Sequence, residues 1–251
     1  MNKRALVVDD DEGVLALLAA TLERANYSVY SVDNAKKALE KLKEDPYPVV
    51  ISDIMMPDMD GLTLLSSIKA VNPDIQVILI TAHATVDSAI LALKNSATSY
   101  LKKPFDPDEL VLQANNAFEK YRLLEENRKL IAELRYAKEY NEKIIEHMVY
   151  TVIILDEHGN IKRINRAMED LLGFSQADVA GQPVTNIFSE EFRNTKWKEL
   201  LKGNKLEEFP VEFVAKNGGK IKALFTGTLM KDTEGNIAGF IGTTKNLNEK
   251  A

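Results

Sequence analysis

Five short apolar runs, at residues 5–8, 27–32, 48–52, 76–81 and 99–101, alternate with amphipathic stretches at 12–25, 34–44, 61–71 and 85–94, and a further one begins at Pro107. Short β-branched runs bounded by turn residues predict buried strands, and apolar positions three and four apart predict helices. Strand and helix in strict alternation, joined by short connections, predict an α/β class with a doubly wound, five-stranded parallel sheet covered by helices on both faces. Ligands of such sheets bind beyond the carboxyl ends of the strands, near the switch point. Asp9, Asp10, Asp53, Thr81 and Lys103 all fall at those ends, so the topology itself predicts their convergence.

From Pro107 to Met148 the chain has no further proline or glycine, and its pattern is helical. Leu123, Leu130, Ala137 and Ile144 occupy the d positions of a heptad, with Asn127, Leu134, Asn141 and Met148 at a. Asparagine at a fixes a parallel two-stranded register at some cost in stability. Glu133 is placed to attract Lys138 of a second copy. A parallel homodimer is therefore expected. Apolar residues at e, namely Leu124, Ile131 and Ile145, leave room for a larger bundle, and a single helix packed on its own domains is the alternative.

After Met148 the texture changes to strands at 152–155, 159–164, 209–215, 221–230 and 237–244. Asp156-Glu157-His158-Gly159-Asn160, Asn217-Gly218-Gly219 and Asp232-Thr233-Glu234-Gly235-Asn236 separate them as hairpin turns, and a helix at 166–172 closes at Gly173. This predicts an α+β domain with an antiparallel sheet. The expected boundaries are a first domain at 1–120, a helical coiled-coil linker at 121–147 and a second domain at 148–251, with no internal repeat.

Composition narrows the chemistry. The 251 residues are 45% hydrophobic and 28% charged, with net charge −6 and no cysteine. Disulfides, thiolate metal sites and thiol nucleophiles are excluded, and the acidic balance argues against direct nucleic-acid binding. No apolar run approaches the roughly 20 residues of a membrane span, and the start does not read as a signal peptide. A cytoplasmic protein without membrane contact is expected. No segment reads as a kinase, a cyclase or a helix-turn-helix, so no separate catalytic domain is expected.

Two carboxylate clusters, Asp9-Asp10-Asp11-Glu12 and Asp53, at the ends of two buried strands would repel unless a cation joins them. A carboxylate can attack phosphorus to form a mixed anhydride, and phosphoryl transfer asks mainly for positioning and charge neutralisation. Magnesium takes oxygen ligands from one or two carboxylates, water and phosphate. Asp10 and Asp53 supply such ligands, with Asp9 holding waters, while Thr81 adds a hydroxyl and Lys103 a mobile ammonium. Asp58-Met59-Asp60-Gly61 hints at a calcium loop, but Ser67 stands where the bidentate glutamate is needed, so a turn is expected. The histidines, His83, His147 and His158, are too scattered for a metal site.

Asp9-Asp10, Asp53 with Met56-Pro57 and Gly61, Thr81-Ala82 and Tyr100-Leu101-Lys102-Lys103-Pro104-Phe105 together resemble the receiver domain of two-component response regulators, over roughly residues 3–120. The resemblance implies a flavodoxin-like fold in which Asp53 accepts a phosphoryl group from a phosphohistidine on a sensor histidine kinase or phosphotransfer protein. It implies that Asp9, Asp10, Asp53 and the Met55 backbone carbonyl surround Mg2+, and that Lys103, after which a cis bond to Pro104 is expected, contacts the phosphoryl oxygens. Thr81 would swing toward that group and Tyr100 would rotate inward as the switch. Asn95-Ser96-Ala97 departs from the family's usual Gly-Ala, which shifts a left-handed cap to Asn95. The Asp-x-Asp-x-Thr arrangement of an independent aspartyl-phosphatase is absent.

Residues 141–247 resemble a PAS domain through Val152–Ile161 as a block, Asn165-Arg166-Ala167 leading to Leu171-Leu172-Gly173-Phe174, Gly181, Lys216-Asn217-Gly218-Gly219-Lys220 and the 232–239 turn. The family uses a small cavity for sensing, or the fold for dimerisation. A cysteinyl-flavin adduct is excluded, no histidine stands in the helical middle (190–201) where a haem ligand is expected, and Trp197 reads as packing. The expected pocket is empty or holds a small metabolite. The family's closing Asp-Ile-Thr is Asn246-Leu247-Asn248 here. The expected function is a response regulator that signals through a dimeric helix to a PAS domain. The alternatives are the N-terminal part of a longer histidine kinase or cyclase, and a PAS-driven dimeric scaffold modulated by the receiver.

Overall fold

The computed structural model describes residues 3–82, 97–189 and 205–246. The expectations for 83–96 (a helix at 85–94, the cap at Asn95, His83), for 190–204 (the helical middle, Trp197) and for 247–248 lie outside the described residues. The chain forms two compact units, Met1–Glu133 and Leu134–Ala251.

The first unit contains β1 (Arg4–Val8), α1 (Glu12–Arg24), β2 (Ser28–Val32), α2 (Ala35–Glu44), β3 (Val49–Asp53), α3 (Gly61–Val71), β4 (Gln76–Thr81) and β5 (Ser99–Lys102). The five strands are parallel in the order β2-β1-β3-β4-β5. The period of two along each strand divides the sheet between two cores. Leu6, Val8, Val50, Val77 and Leu79 face Leu64, Leu65 and Ile68 of α3 and the alanines of α2. Ala5, Val7, Val49, Ile51, Ile78 and Ile80 face Leu18 and Leu22 of α1 and, from the last helix, Leu110, Ala114, Ala117 and Phe118. Strands buried on both sides read as unbroken apolar runs, which is why they were legible in the sequence. Helix starts are capped by side chains: Asp11 accepts from the Gly13 and Val14 amides, Asn34 from Lys37, and Asp60 from Thr63. Such caps are each worth about 1 kcal/mol.

The last helix, α4 (Pro107–Glu146), buries Leu110, Ala114, Ala117, Phe118 and Tyr121 along one stripe. Arg128 reaches Asp74 in the loop before β4. Leu123, Leu130, Leu134 and Ile144 of the expected seam are exposed. Among the described residues no helix is long and apolar enough to cross a membrane.

The second unit contains β6 (Thr151–Leu155), β7 (Ile161–Ile164), α5 (Arg166–Leu172), α6 (Gln176–Val179), a 3-10 turn (Val184–Ile187), β8 (Lys205–Val214), β9 (Lys220–Lys231) and β10 (Ile237–Asn246). Its antiparallel sheet runs β7-β6-β10-β9-β8. One face packs Ile153, Leu155, Phe213, Phe225 and Phe240 against Met168, Leu172, Val184 and Phe188. Phe188 lies against Phe213 with ring centroids 4.9 Å apart, and meets Phe225 edge-on at 6.0 Å. Gly173 ends α5 at the position expected from the sequence, as a left-handed cap with φ of 74°.

Two hairpin loops of this unit are the same device, a local repeat missed in the sequence. Asp156 Oδ1 accepts from the amides of His158 and Asn160, and its Oδ2 from Asn160 Nδ2. Asp232 does the same with Glu234 and Asn236. The signal was present as Asp-x-x-Gly-Asn at both places, with the glycines at positive φ.

Candidate functional site

β1 and β3 are neighbours, and β2 returns on the far side of β1, so the crevice between the carboxyl ends of β1 and β3 is the topological switch point of the sheet. Register carries the expected side chains there: Val8 is level with Ser52, Asp53 with Ile80, and Thr81 with Lys102. Asp9 (1% exposed) and Asp53 (8%) are buried, Asp10 is exposed, and carboxylate oxygens of all three lie within 4.8 Å of one another.

Each carboxylate is held by backbone. Asp53 Oδ1 accepts from the Ile54 amide at 2.7 Å, and Asp9 Oδ1 from the Asp11 amide at 3.0 Å. Both leave an Oδ2 to Lys103, whose Nζ lies 2.7 Å from Asp9 and 3.0 Å from Asp53. The Lys103 amide donates to the Thr81 carbonyl at 2.8 Å, and the bond to Pro104 is cis. The neighbouring Lys102 is exposed. Burial pushes the Asp9 carboxyl above the ordinary carboxylate value, against the hydrogen bonds from Lys103 and Asp11. At Lys103 burial opposes the charge, but the hydrogen bonds to Asp9 and Asp53 outweigh it and the ammonium is held above the usual lysine range. The two directions pull apart. One ammonium bridging two carboxylates at hydrogen-bond distance favours the ionised set.

Thr81 is buried at the end of β4. Tyr100 packs against the apolar core that includes α3, and its buried hydroxyl has no hydrogen-bond partner among the described residues. Met55 follows Ile54 in the β3–α3 loop with its side chain exposed. Gly61 was read only as part of a motif, and its reason is steric. A Cβ there would lie 2.2 Å from the Asp53 carbonyl oxygen, while the Gly61 amide donates to Ile54 O at 2.9 Å. Ser52 Oγ also donates to the Asp53 carbonyl. No spacing in the sequence points to that bond.

Three carboxylates from two strand ends form a hard-oxygen donor set, which fits a small divalent cation such as Mg2+. Lys103 already lies among them as a cation. The arrangement presents one carboxylate, Asp53, beside an ammonium and a second acidic pair.

Residues 5–115 match the family of the response regulator receiver domain, and residues 149–249 match a PAS domain family. The chain is a receiver domain followed by a PAS domain. Its receiver is 43% identical over 124 residues to the C4-dicarboxylate transport transcriptional regulatory protein DctD of Rhizobium meliloti (strain 1021), covering 49% of this chain and 27% of DctD. It is 41% identical over 115 residues to the DNA-binding transcriptional regulator NtrC of Escherichia coli (strain K12), covering 46% of this chain and 24% of NtrC. A response regulator receiver domain protein from Clostridium thermocellum aligns at 34% identity with a TM-score of 0.47, covering 48% of this chain and 98% of that one. The chain thus spans about a quarter of the length of these curated relatives, and the shared part is the receiver. The receiver's relatives are response regulators. The PAS domain is matched by its family independently.

Proposed function

We propose that this receiver is a phosphorylation switch: Asp53 takes a phosphoryl group from a phosphohistidine on a sensor histidine kinase or phosphotransfer protein, in a Mg2+-dependent reaction. The observation that carries the reading is the single ammonium shared by Asp9 and Asp53 at the sheet's switch point. An Asp53 Oδ attacks phosphorus, the bond to the donor nitrogen breaks, and an acyl phosphate forms. Asp9, Asp10, Asp53 and the Met55 carbonyl would hold the metal, which supplies charge neutralisation on the phosphoryl oxygens. Lys103 would exchange its bond to Asp53 for one to a phosphoryl oxygen. Thr81 would donate its hydroxyl to another, and Tyr100 would adjust in the space beside it. These steps need no catalytic domain beyond the receiver.

The output reading is that phosphorylation biases a two-state receiver, and that α4 carries the bias to the PAS domain of a parallel homodimer. Its support is the exposed apolar seam with Asn127 and Asn141 two heptads apart. The protein would work in the cytoplasm, and the PAS pocket would be empty or hold a small metabolite, since the chain has no cysteine for a flavin adduct. The second reading, a PAS-driven dimer only modulated by the receiver, is separated by the same test. Beryllium trifluoride with Mg2+ should shift the Tyr100 ring resonances and also those of PAS residues. A response confined to the receiver favours the second reading, and no response at all refutes the first.

A further inference from the structure

Asn165 is fully buried, at 0% exposure, between β7 and α5. Its Oδ1 accepts from the Met168 amide at 3.2 Å, the ordinary bond of a helix N-cap, and from the Val152 amide at 2.7 Å, which fixes the start of β6. Capping and strand placement use only this oxygen. The Nδ2 side points back along the chain and donates to the carbonyls of Tyr150 at 2.9 Å, Ile145 at 3.2 Å and Met148 at 3.3 Å. An amide nitrogen carries two hydrogens, so the three carbonyls share them.

Ile145 lies in the last turn of α4, where carbonyls have no partner within the helix. The helix ends at Glu146-His147-Met148 with no glycine to form its own left-handed cap. The Met148 amide donates to the Ile145 carbonyl at 3.4 Å, and Asn165 adds a second donor from a different part of the fold. Arg163, on β7, holds the same turns from the rim. Its Nη2 donates to the Glu142 carbonyl at 3.3 Å, and it pairs with the carboxylates of Glu142 at 3.9 Å and Glu146 at 3.7 Å. The PAS family match begins at residue 149, so Ile145, Met148, Glu142 and Glu146 all lie before it.

We infer that Asn165 is a positioning residue that makes the final turn of α4 a working part of the PAS fold, so that a shift of this turn is carried directly to the start of β6 and the N-terminus of α5. One side chain bonds all three segments, and it is buried where water cannot substitute for the lost bonds. The inference stands apart from the role of Asp53.

The bland alternative is that Asn165 merely caps α5. Asn165→Asp separates the two. A carboxylate keeps both acceptor bonds, but when ionised it offers no proton to the three carbonyls. Protonation returns one donor, and burial pushes such a carboxyl upward into an accessible pH range. The charged groups on the surrounding elements are Lys162 and Arg163 of β7, Glu142, Lys143 and Glu146 of α4, His147 beyond it, and Arg166, Glu169 and Asp170 of α5. His147, whose ring nitrogen lies 2.9 Å from the Lys143 carbonyl in the same helix end, is controlled by repeating the comparison with His147→Gln.

Amide hydrogen exchange of the full chain, followed by peptide mass spectrometry, reads the helix end (141–149) separately from β6 and α5. In Asn165→Asp at about pH 8 the helix end should exchange about tenfold faster than in the parent, with α5 within about twofold, and most of that difference should vanish at about pH 5. Arg163→Gln, which leaves the interior intact, should speed the same segment by about two- to threefold. Equal acceleration of α5 and the helix end in Asn165→Asp, or no acceleration of the helix end at any pH, overturns the inference. If Asn165→Asp does not fold, Arg163→Gln decides alone: an unchanged helix end overturns it.

Discussion

Lys103 Nζ stands 3.0 Å from Asp53 Oδ2 while holding Asp9 at 2.7 Å, so the residue proposed to contact the phosphoryl group is also what neutralises the nucleophile before reaction. Removing it takes this counter-charge from two buried carboxylates and an exposed third. Lys103→Ala should lower receiver stability by about 1–3 kcal/mol in EDTA, a loss reduced by partial exposure from that of a fully buried pair. Saturating Mg2+ should restore part of it. Urea titrations with and without magnesium read both numbers, and a variant as stable as the parent in EDTA contradicts the arrangement.

Asp10 adds a third negative charge to the pair but lies in solvent. Asp10→Asn should therefore leave the metal-free receiver as stable or more so, while cutting the stabilisation by magnesium. For the parent that stabilisation is about 2.7 kcal/mol at a hundredfold excess over the dissociation constant. Calorimetry across a magnesium series checks it; an undiminished response in Asp10→Asn would remove that residue from the metal set.

Gly61 is needed because a methyl group there would overlap the Asp53 carbonyl oxygen at 2.2 Å. Both atoms are backbone-bound, so the clash is relieved only by moving the β3–α3 loop. Gly61→Ala should cost about 1–3 kcal/mol, the range for overpacking a tight site. It should also slow phosphorylation more than it weakens folding predicts, since the displaced atom belongs to the nucleophile's own residue. Wild-type labelling rates in Gly61→Ala would show that the loop gives way freely.

The phenol oxygen of Tyr100 is buried and has no hydrogen-bond partner among the described residues. Leaving such a group unsatisfied costs about 1–3 kcal/mol, so Tyr100→Phe should stabilise the unphosphorylated receiver by about 1 kcal/mol. Thermal unfolding decides, and a destabilised Phe variant means the hydroxyl has a partner in solution.

Much of this was legible beforehand because parallel strands buried on both faces announce themselves as apolar runs, and their carboxyl ends as acidic or polar residues. The placement of Asp9, Asp10, Asp53, Thr81 and Lys103 at those ends followed from that pattern, whereas their roles rest on the resemblance to receiver domains. The rest depends on contacts between distant segments. β8 was expected from residue 209 but begins at Lys205: a register shift between Leu206 and Phe209, with Glu208 at φ of 40°, breaks the alternation on which the period-two reading relies. The short α6 and the 3-10 turn are four residues each, too brief to show a period. Asn165 was read as one letter of a family motif. Its five hydrogen bonds need three segments to meet, which no local pattern encodes.

The seam on α4 makes a geometric demand. The chain has no cysteine, so single replacements report on pairing without background. Leu130→Cys, at d, should form an inter-chain disulfide about tenfold faster than Lys129→Cys at c, because only the seam brings equivalent positions within bonding reach in a parallel pair. Equal rates, or a monomer by sedimentation at micromolar concentration, would remove the homodimer.

The most direct measurement is intact mass after incubation with acetyl phosphate and Mg2+. One phosphoryl group should appear on the parent chain, disappear with EDTA, and be absent from Asp53→Ala. Equal labelling of Asp53→Ala, or labelling that ignores the metal, contradicts the account at its centre.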